Sequence, residues 1–172
     1  HGISTALDTC GLCSQQSLDR LLPYTDLVLF DLKLIDPTLH QQYTDVPNRR
    51  ILENLAFIRD YIHHQPCALR LWIRTPLIPG ATTSSGNLSG IGKYLAGNLD
   101  GVISRWELCA FNNLCCDQYT RLGMEWTYAQ TPLMSHEELA RCEDIAKSSG
   151  ICPEIVVSTG AIRMEEPYRR KA

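Results

Sequence analysis

Two charged side chains, Asp31 and Lys33, stand at the end of an otherwise apolar run over 27–32. The run predicts a buried strand that is covered on both faces, as in parallel sheets flanked by helices. Because side chains alternate along a strand, Asp31 and Lys33 share one face. Opposite charges at the exit of an apolar strand cost desolvation unless a polar group meets them. The pattern therefore indicates either a bound ligand or a partly exposed ion pair.

Polar residues also stand at the ends of three further predicted strands. These are Asp8 and Thr9 after 3–7, Arg74 at the end of 68–74, and Asn112 after 102–111. Taken singly, each has a plain alternative, because Arg74 suits a surface position and the others suit turns. The carboxyl ends of parallel strands, however, form the ligand site of α/β barrels. The four polar strand ends together therefore predict one site.

Helical segments separate these strands. The first covers 14–22, and the second starts at Asp36 and Pro37. The third is an amphipathic stripe over 51–62 that Asn48 can cap. A fourth lies around 88–95, and the last follows a capping box at Ser135. Strands that alternate with helices predict parallel pairing through right-handed crossovers. The fold class is therefore α/β, and the polar strand ends favour a partial (β/α) barrel over a small doubly wound sheet.

Size and charge exclude several classes of protein. The chain has 172 residues with 44% hydrophobic content, which suffices for one domain with a sizeable core. A net charge of −3 and a pI near 5.9 provide no basic surface for nucleic acid. No apolar run approaches the roughly 20 residues that a membrane helix needs. We therefore expect a cytoplasmic protein that binds neither nucleic acid nor a membrane.

Eight cysteines are dispersed along the chain. Cys10 and Cys13 form one CxxC pair, but no second pair follows, and the other cysteines lack a spacing typical of metal ligands. We interpret Cys109, Cys115 and Cys116 as small buried apolar side chains in a reducing compartment.

Three stretches acquire a more specific meaning when they are taken together: 2–11 (GISTALDTCG), 25–33 (TDLVLFDLK) and 71–80 (LWIRTPLIPG). In this order and spacing they resemble the glycyl-radical-enzyme activating enzymes, such as the pyruvate formate-lyase activating enzyme. That family belongs to the radical S-adenosylmethionine (SAM) superfamily, whose members use a 4Fe-4S cluster to cleave SAM. The resemblance implies an oxidoreductase of anaerobic metabolism with a radical SAM barrel, a TIM-barrel relative.

The resemblance also assigns roles to the polar strand ends. It implies that SAM is contacted by Asp31, Leu32, Lys33 and Arg74, and that Asn112 stands where the family has a histidine near the adenine. It further implies that a monovalent cation beside SAM is held by Asp8, Thr9 and Asp31, with the backbone of Leu29 as a further ligand. The implied partners are a glycyl radical enzyme as protein substrate and an electron donor such as flavodoxin or ferredoxin.

One part of the family pattern is missing. The CxxxCxxC motif that binds the cluster belongs upstream of Gly2, and no three cysteines of this chain have that spacing. We therefore expect the chain to be the C-terminal part of an activating enzyme, without cluster ligands and inactive alone. Residues 1–113 would form part of the barrel, and 114–172 would close the barrel or face the partner.

Two other functions remain open on the residues alone. An aldolase-like or epimerase-like barrel fragment would use Lys33 as a base or Schiff-base former, which needs an apolar surround, whereas Asp31 beside it favours the charged amine. A non-catalytic α/β module would instead bind a partner protein through open sheet edges.

Overall fold

The computed structural model describes residues 2–65 and 68–163, so Cys67 and the end of the predicted segment 114–172 lie outside the described residues. The strands are β1 (Ala6–Thr9), β2 (Leu27–Asp31), β3 (Arg70–Leu77), β4 (Ile103–Ala110) and β5 (Val156–Thr159). The α-helices are α1 (Gln15–Leu21), α2 (Pro37–Thr44), α3 (Arg49–His64), α4 (Ser85–Asn98), α5 (Cys116–Arg121) and α6 (His136–Lys147). Short 3₁₀ helices cover Leu22–Tyr24 and Pro153–Ile155.

The strands form one parallel sheet in the order β1-β2-β3-β4-β5. Each strand therefore lies beside the strand that precedes it, and the winding direction does not reverse within the described residues. A doubly wound sheet reverses direction at a switch point, whereas a barrel sheet keeps one direction. The α/β class is confirmed, and the strand order is that of an open, singly wound segment of a barrel.

The core lies on one face of this sheet. Val28 and Phe30 of β2 are fully buried and belong to the same apolar cluster as Leu55 of α3 and Leu88 of α4. Leu29, which points to the opposite face, is only half-buried. The prediction that β2 is covered on both faces is therefore wrong for the described residues, because α1, α3, α4 and α6 contribute to the same cluster on one side of the sheet.

Two strand boundaries also differ from the prediction. β1 runs over Ala6–Thr9 rather than 3–7, so Asp8 and Thr9 are part of the strand and not of a following turn. β3 continues past Arg74 to Leu77, although Pro76 lies within it. Pro76 stays in register with Cys109 of β4, so the missing N–H does not end the pairing.

Helix ends follow the sequence signals in most places. Asp36 accepts hydrogen bonds from Thr38 and Leu39 at the start of α2, and both halves of the Ser135 capping box are present at α6. The predicted cap at Asn48 is wrong, because its amide group donates to the carbonyl oxygens of Leu34 and Ile35 instead. Asn48 thereby ties the start of α3 to the segment that follows β2.

The segment after Asn113 adds to the same sheet. α6 packs against α4, and β5 pairs in parallel with β4, although the sequence gives 155–157 no clear assignment. Because an exposed strand edge favours pairing, the sequence predicts that the outer edge of β1 is covered by another chain or by the segment around 155–157. That segment extends the opposite edge of the sheet, beside β4, so its predicted position beside β1 is wrong.

Candidate functional site

The guanidinium of Arg74 is the centre of an ion network at the carboxyl ends of the first three strands. Its Nε and Nη2 atoms lie 3.1 and 2.8 Å from Oδ1 of Asp31. Nη2 also lies 2.5 Å from Oδ1 of Asp8. The other oxygen of Asp31, Oδ2, lies 3.1 Å from Nζ of Lys33. Four of the predicted site residues are therefore brought into direct contact.

Sheet register explains why these four side chains meet. Asp31 stands directly opposite Arg74 in the β2–β3 ladder, and Asp8 stands opposite Leu29, two residues before Asp31. Alternation then places Asp8, Asp31 and Arg74 on the same open face. Lys33 follows Asp31 by two residues and keeps that direction, as the sequence predicts.

The network is neutral overall, with two carboxylates and two cations. The side chains of Arg74, Asp31 and Lys33 are 23%, 24% and 31% exposed, whereas that of Asp8 is 59% exposed. Burial alone would lower the pKa of Arg74, but the hydrogen bond and charge of Asp31, followed by the charge of Asp8, raise it above its ordinary value. The guanidinium therefore stays charged at every accessible pH.

A chain of buried hydrogen bonds supports this network from the core side. Trp106 of β4 donates through Nε1 to Oγ1 of Thr75 at 3.0 Å, and Thr75 donates to the carbonyl oxygen of Leu32 at 2.9 Å. The N–H of Leu32 donates to the carbonyl oxygen of Arg74 at 2.9 Å. Leu32 is itself buried, so it positions its charged neighbours and presents no side chain to the open face.

Asn87 of α4 is a second support that the sequence analysis did not find. Its Oδ1 accepts from the N–H of Ile35 at 2.9 Å, and its Nδ2 donates to the carbonyl oxygens of Lys33 and Thr82, both at 2.9 Å. It thereby fixes the backbone that carries Lys33. The available signal was a polar residue four positions before Ile91 on the apolar stripe of α4.

Two predicted site residues lie apart from the network. Thr9 points to the opposite face of β1 from Asp8, and its hydroxyl accepts from the N–H of Gly11 at 3.0 Å. Asn112 follows β4, is exposed, and accepts from the N–H of Leu114 at 3.2 Å. The structure therefore brings together the carboxylates and cations, and it gives Thr9 and Asn112 local turn contacts.

A second charged pair occupies the same open face on β4. Arg105 donates to Glu107 at 2.9 Å and its guanidinium lies 4.6 Å from the ring centre of Trp72. Glu107 stands opposite Arg74 in the ladder but pairs with Arg105. Neither residue was singled out from the sequence, because alternating charges on a strand usually indicate a solvated face.

The cysteines do not assemble into a metal site within residues 2–65 and 68–163. Cys109 is half-buried on the open face, and Cys115 and Cys116 are also half-buried, so the prediction that these three are buried is wrong. Burial, followed by the charge of Glu107, raises the pKa of Cys109 above its ordinary value. Burial and the nearby Cys10 likewise raise the pKa of Cys13. Both thiols therefore stay protonated at neutral pH in the protein as described.

Fold and site together define a class: a parallel α/β protein in which paired carboxylates and cations gather at the carboxyl ends of neighbouring strands. No family model matches the chain. Among curated proteins, it is 32% identical over 148 residues to the choline trimethylamine-lyase activating enzyme of Oleidesulfovibrio alaskensis, a match that covers 83% of this chain and 44% of that relative. It is 30% identical to the pyruvate formate-lyase-activating enzyme of Staphylococcus aureus, over 73% of this chain and 49% of that relative.

A solved structure shows the same likeness. A domain of the pyruvate-formate lyase-activating enzyme from Bacteroides vulgatus superposes with a TM-score of 0.68 and 26% identity, covering 92% of this chain and 83% of that domain. The chain is similar in both sequence and structure to glycyl-radical-enzyme activating enzymes. It spans less than half the length of the curated relatives that it matches. Among the described residues, no helix is long and apolar enough to cross a membrane.

Proposed function

We propose that this chain provides part of the SAM-binding site of an activating enzyme that generates a glycyl radical on a partner enzyme. The observation that carries the proposal is the four-residue ion network of Asp8, Asp31, Lys33 and Arg74. By resemblance, Asp31, Lys33 and Arg74 match positions that contact SAM in the family, and Asp8 matches a position that holds a monovalent cation beside SAM. Its place at the carboxyl ends of parallel strands is where ligands of this architecture bind.

The chemistry of the network suits SAM. The methionine end of SAM carries a carboxylate and an ammonium group, and its sulfonium is a second cation. We assign the ligand carboxylate to Arg74 and Lys33, and the ligand ammonium to Asp31. Asn112 at the end of β4 would face the adenine. Leu32 would hold the charged residues in place through its backbone.

The family uses two inorganic groups, a 4Fe-4S cluster and a monovalent cation, and the described residues fit them unequally. When bound, the 4Fe-4S cluster supplies the electron that cleaves SAM. The described residues contain no group of ligands that fits it, so its ligands must come from elsewhere in the whole enzyme. A monovalent cation fits better, because Asp8 and Asp31 present hard oxygen ligands. The family pattern suggests Thr9 and the backbone of Leu29 as further ligands, and because the hydroxyl of Thr9 points to the opposite face of β1, Thr9 would contribute through its backbone.

The wider context of the proposal follows from the family. The protein substrate would be a glycyl radical enzyme such as pyruvate formate-lyase, the electron donor would be flavodoxin or ferredoxin, and the compartment would be the cytoplasm. Residues 1–113 would provide the barrel portion, and 114–172 would close the barrel or face the partner. This chain alone would be inactive.

The geometry disfavours an aldolase-like or epimerase-like reaction. A Schiff-base lysine must be free to attack a carbonyl group, whereas Nζ of Lys33 is held in an ion pair 3.1 Å from Oδ2 of Asp31. A non-catalytic binding module would not require the network at all. Ligand binding therefore separates the proposal from both alternatives.

Equilibrium dialysis of the chain against radiolabelled SAM tests the proposal. We expect saturable binding that weakens about tenfold or more in Asp31→Asn and in Arg74→Met, because each loses a charge-assisted hydrogen bond. Glu107→Gln is the matched control, since it removes a carboxylate from the same face and leaves the network intact. Binding that is absent, or equal in all four proteins while circular dichroism shows them folded, would refute the proposal.

A further inference from the structure

The two carboxylates that contact Arg74 are held unequally. Asp31 accepts two hydrogen bonds from the guanidinium and one from Lys33, and its side chain is 24% exposed. Asp8 accepts one hydrogen bond from the guanidinium, and its side chain is 59% exposed. Asp31 is therefore a fixed partner of Arg74, and Asp8 is the weaker and more accessible one.

The geometry of the guanidinium determines which of the two aspartates a ligand carboxylate could replace. A carboxylate binds arginine best through two parallel N–H groups on one edge. Asp31 occupies the edge formed by Nε and Nη2. Nη1 donates no hydrogen bond within the described residues, and Asp8 accepts from Nη2, the atom that belongs to both edges.

We propose that Asp8 is a displaceable partner of Arg74, which holds the anion-binding edge of the guanidinium until the carboxylate of the ligand replaces it. This inference rests on the proposed function for the identity of the ligand, and it adds a competing role for Asp8 to the site. Displacement exchanges one acceptor for another at Nη2 while Asp31 keeps its two hydrogen bonds, so the charge of the guanidinium stays compensated throughout.

Displacement also changes the surroundings of Asp8. Once the carboxylate of Asp8 is released, the guanidinium of Arg74 no longer bridges it to the carboxylate of Asp31. The two carboxylates then repel each other, because like charges at close range repel. A small monovalent cation between the two carboxylates would remove that repulsion. A cation that binds Asp8 thus favours ligand binding at Arg74, and the ligand favours the cation to the same extent.

Titration followed by nuclear magnetic resonance of the arginine Nε–Hε groups tests the exchange. The cross-peak of Arg74 is assigned by its loss in Arg74→Lys. Acetate serves as a carboxylate probe and SAM as the ligand, both in tetramethylammonium chloride, whose cation is too large to sit between two carboxylates. We expect the affinity of Asp8→Asn for both probes to be at least about fivefold higher than that of the unmodified chain. A fivefold change in affinity is at the low end of the coupling usually found between two sites.

Two comparisons separate displacement from a general effect of charge. Glu107→Gln removes the same charge from the same face, and we expect it to change the affinity much less than Asp8→Asn. Replacing tetramethylammonium by potassium at equal ionic strength should raise the affinity of the unmodified chain for acetate and SAM towards the affinity of Asp8→Asn.

Each outcome has a distinct meaning. Equal effects of Asp8→Asn and Glu107→Gln, or weaker binding in Asp8→Asn, overturn the exchange, as does the absence of any response of Arg74 to both probes. If SAM binds without an Asp8 effect, the proposed function stands and the exchange falls. If acetate shows the Asp8 effect but SAM does not bind, the exchange stands and the proposed function falls.

Discussion

At the scale of single residues, Thr75 links the core to the site. Its hydroxyl accepts from the buried indole of Trp106 and donates to the carbonyl oxygen of Leu32, so one oxygen satisfies a group on β4 and a group directly after β2. Thr75 and Trp106 are both fully buried. Because water cannot reach these groups, loss of the hydroxyl leaves a donor and an acceptor without partners.

We predict that Thr75→Val lowers the free energy of unfolding by about 1–3 kcal/mol, the desolvation penalty of unsatisfied buried polar groups. The size of the side chain is preserved, so the loss comes from the hydrogen bonds and not from a cavity. Urea denaturation measures the change. Thr127→Val, at an exposed position, is the control, and a Thr75→Val loss within about 0.5 kcal/mol of it would contradict the account.

At the scale of elements, Glu143 joins α6 to β5. Its Oε1 accepts from Lys147 at 2.5 Å in the same helix, and its Oε2 accepts from the hydroxyl of Ser158 at 2.6 Å. These two hydrogen bonds, with that of Lys147 the larger influence, lower the pKa of Glu143 below its ordinary value. The folded state therefore prefers the ionised carboxylate.

This preference gives stability a defined dependence on pH. A carboxyl group with a lowered folded pKa stabilises the protein above its unfolded pKa, near 4.5, and the contribution is lost as the pH falls through the folded value. We predict that Glu143→Gln lowers the free energy of unfolding by about 1 kcal/mol at pH 7 and has little effect near pH 3. Glu154→Gln, at an exposed position, is the control.

Denaturation curves at the two pH values decide the question. A Glu143→Gln loss that is the same at both pH values would show that the hydrogen bonds to Lys147 and Ser158 do not depend on the charge of Glu143.

The same elements show which parts of the fold the sequence could predict. Local patterns sufficed for β2, whose alternation also placed Asp31 and Lys33 on one face, and for the capping box of α6. β5 was missed because a strand of four residues, one buried and three half-buried, carries little periodicity, and its strand state depends on pairing with β4. The extension of β3 through Pro76 likewise depends on its neighbour, since the residue by itself favours a strand end.

The site was predictable to about the same extent as the fold. Alternation along a regular strand fixes the face to which each charged side chain points, so the contact of Asp31 with Arg74 followed from parallel pairing. The contacts of Asn87 and Asn48 did not follow, because an amide on a helix bonds to whatever carbonyl the fold brings near. The assignment of Asn48 as a cap was wrong for this reason.

At the scale of the whole molecule, the sheet has one packed face and one open face. The open face carries the ion network together with half-buried apolar side chains, Leu27, Leu29, Trp72 and Val157, that lie outside the core cluster of the described residues. The curated relatives are more than twice as long as the part that this chain matches. We infer that the rest of such an enzyme, with its substrate, covers this face in the active state.

A chimeric enzyme tests this central claim most directly. The chain replaces the matching part of the Staphylococcus aureus pyruvate formate-lyase-activating enzyme, and release of 5'-deoxyadenosine from SAM is measured under anaerobic, reducing conditions, which requires no particular protein partner. We predict release above the background of the chemical reductant, lost in Asp31→Asn and Arg74→Met and retained in Glu107→Gln. A folded, cluster-loaded chimera that releases no 5'-deoxyadenosine, or whose release survives Asp31→Asn and Arg74→Met, would contradict the claim.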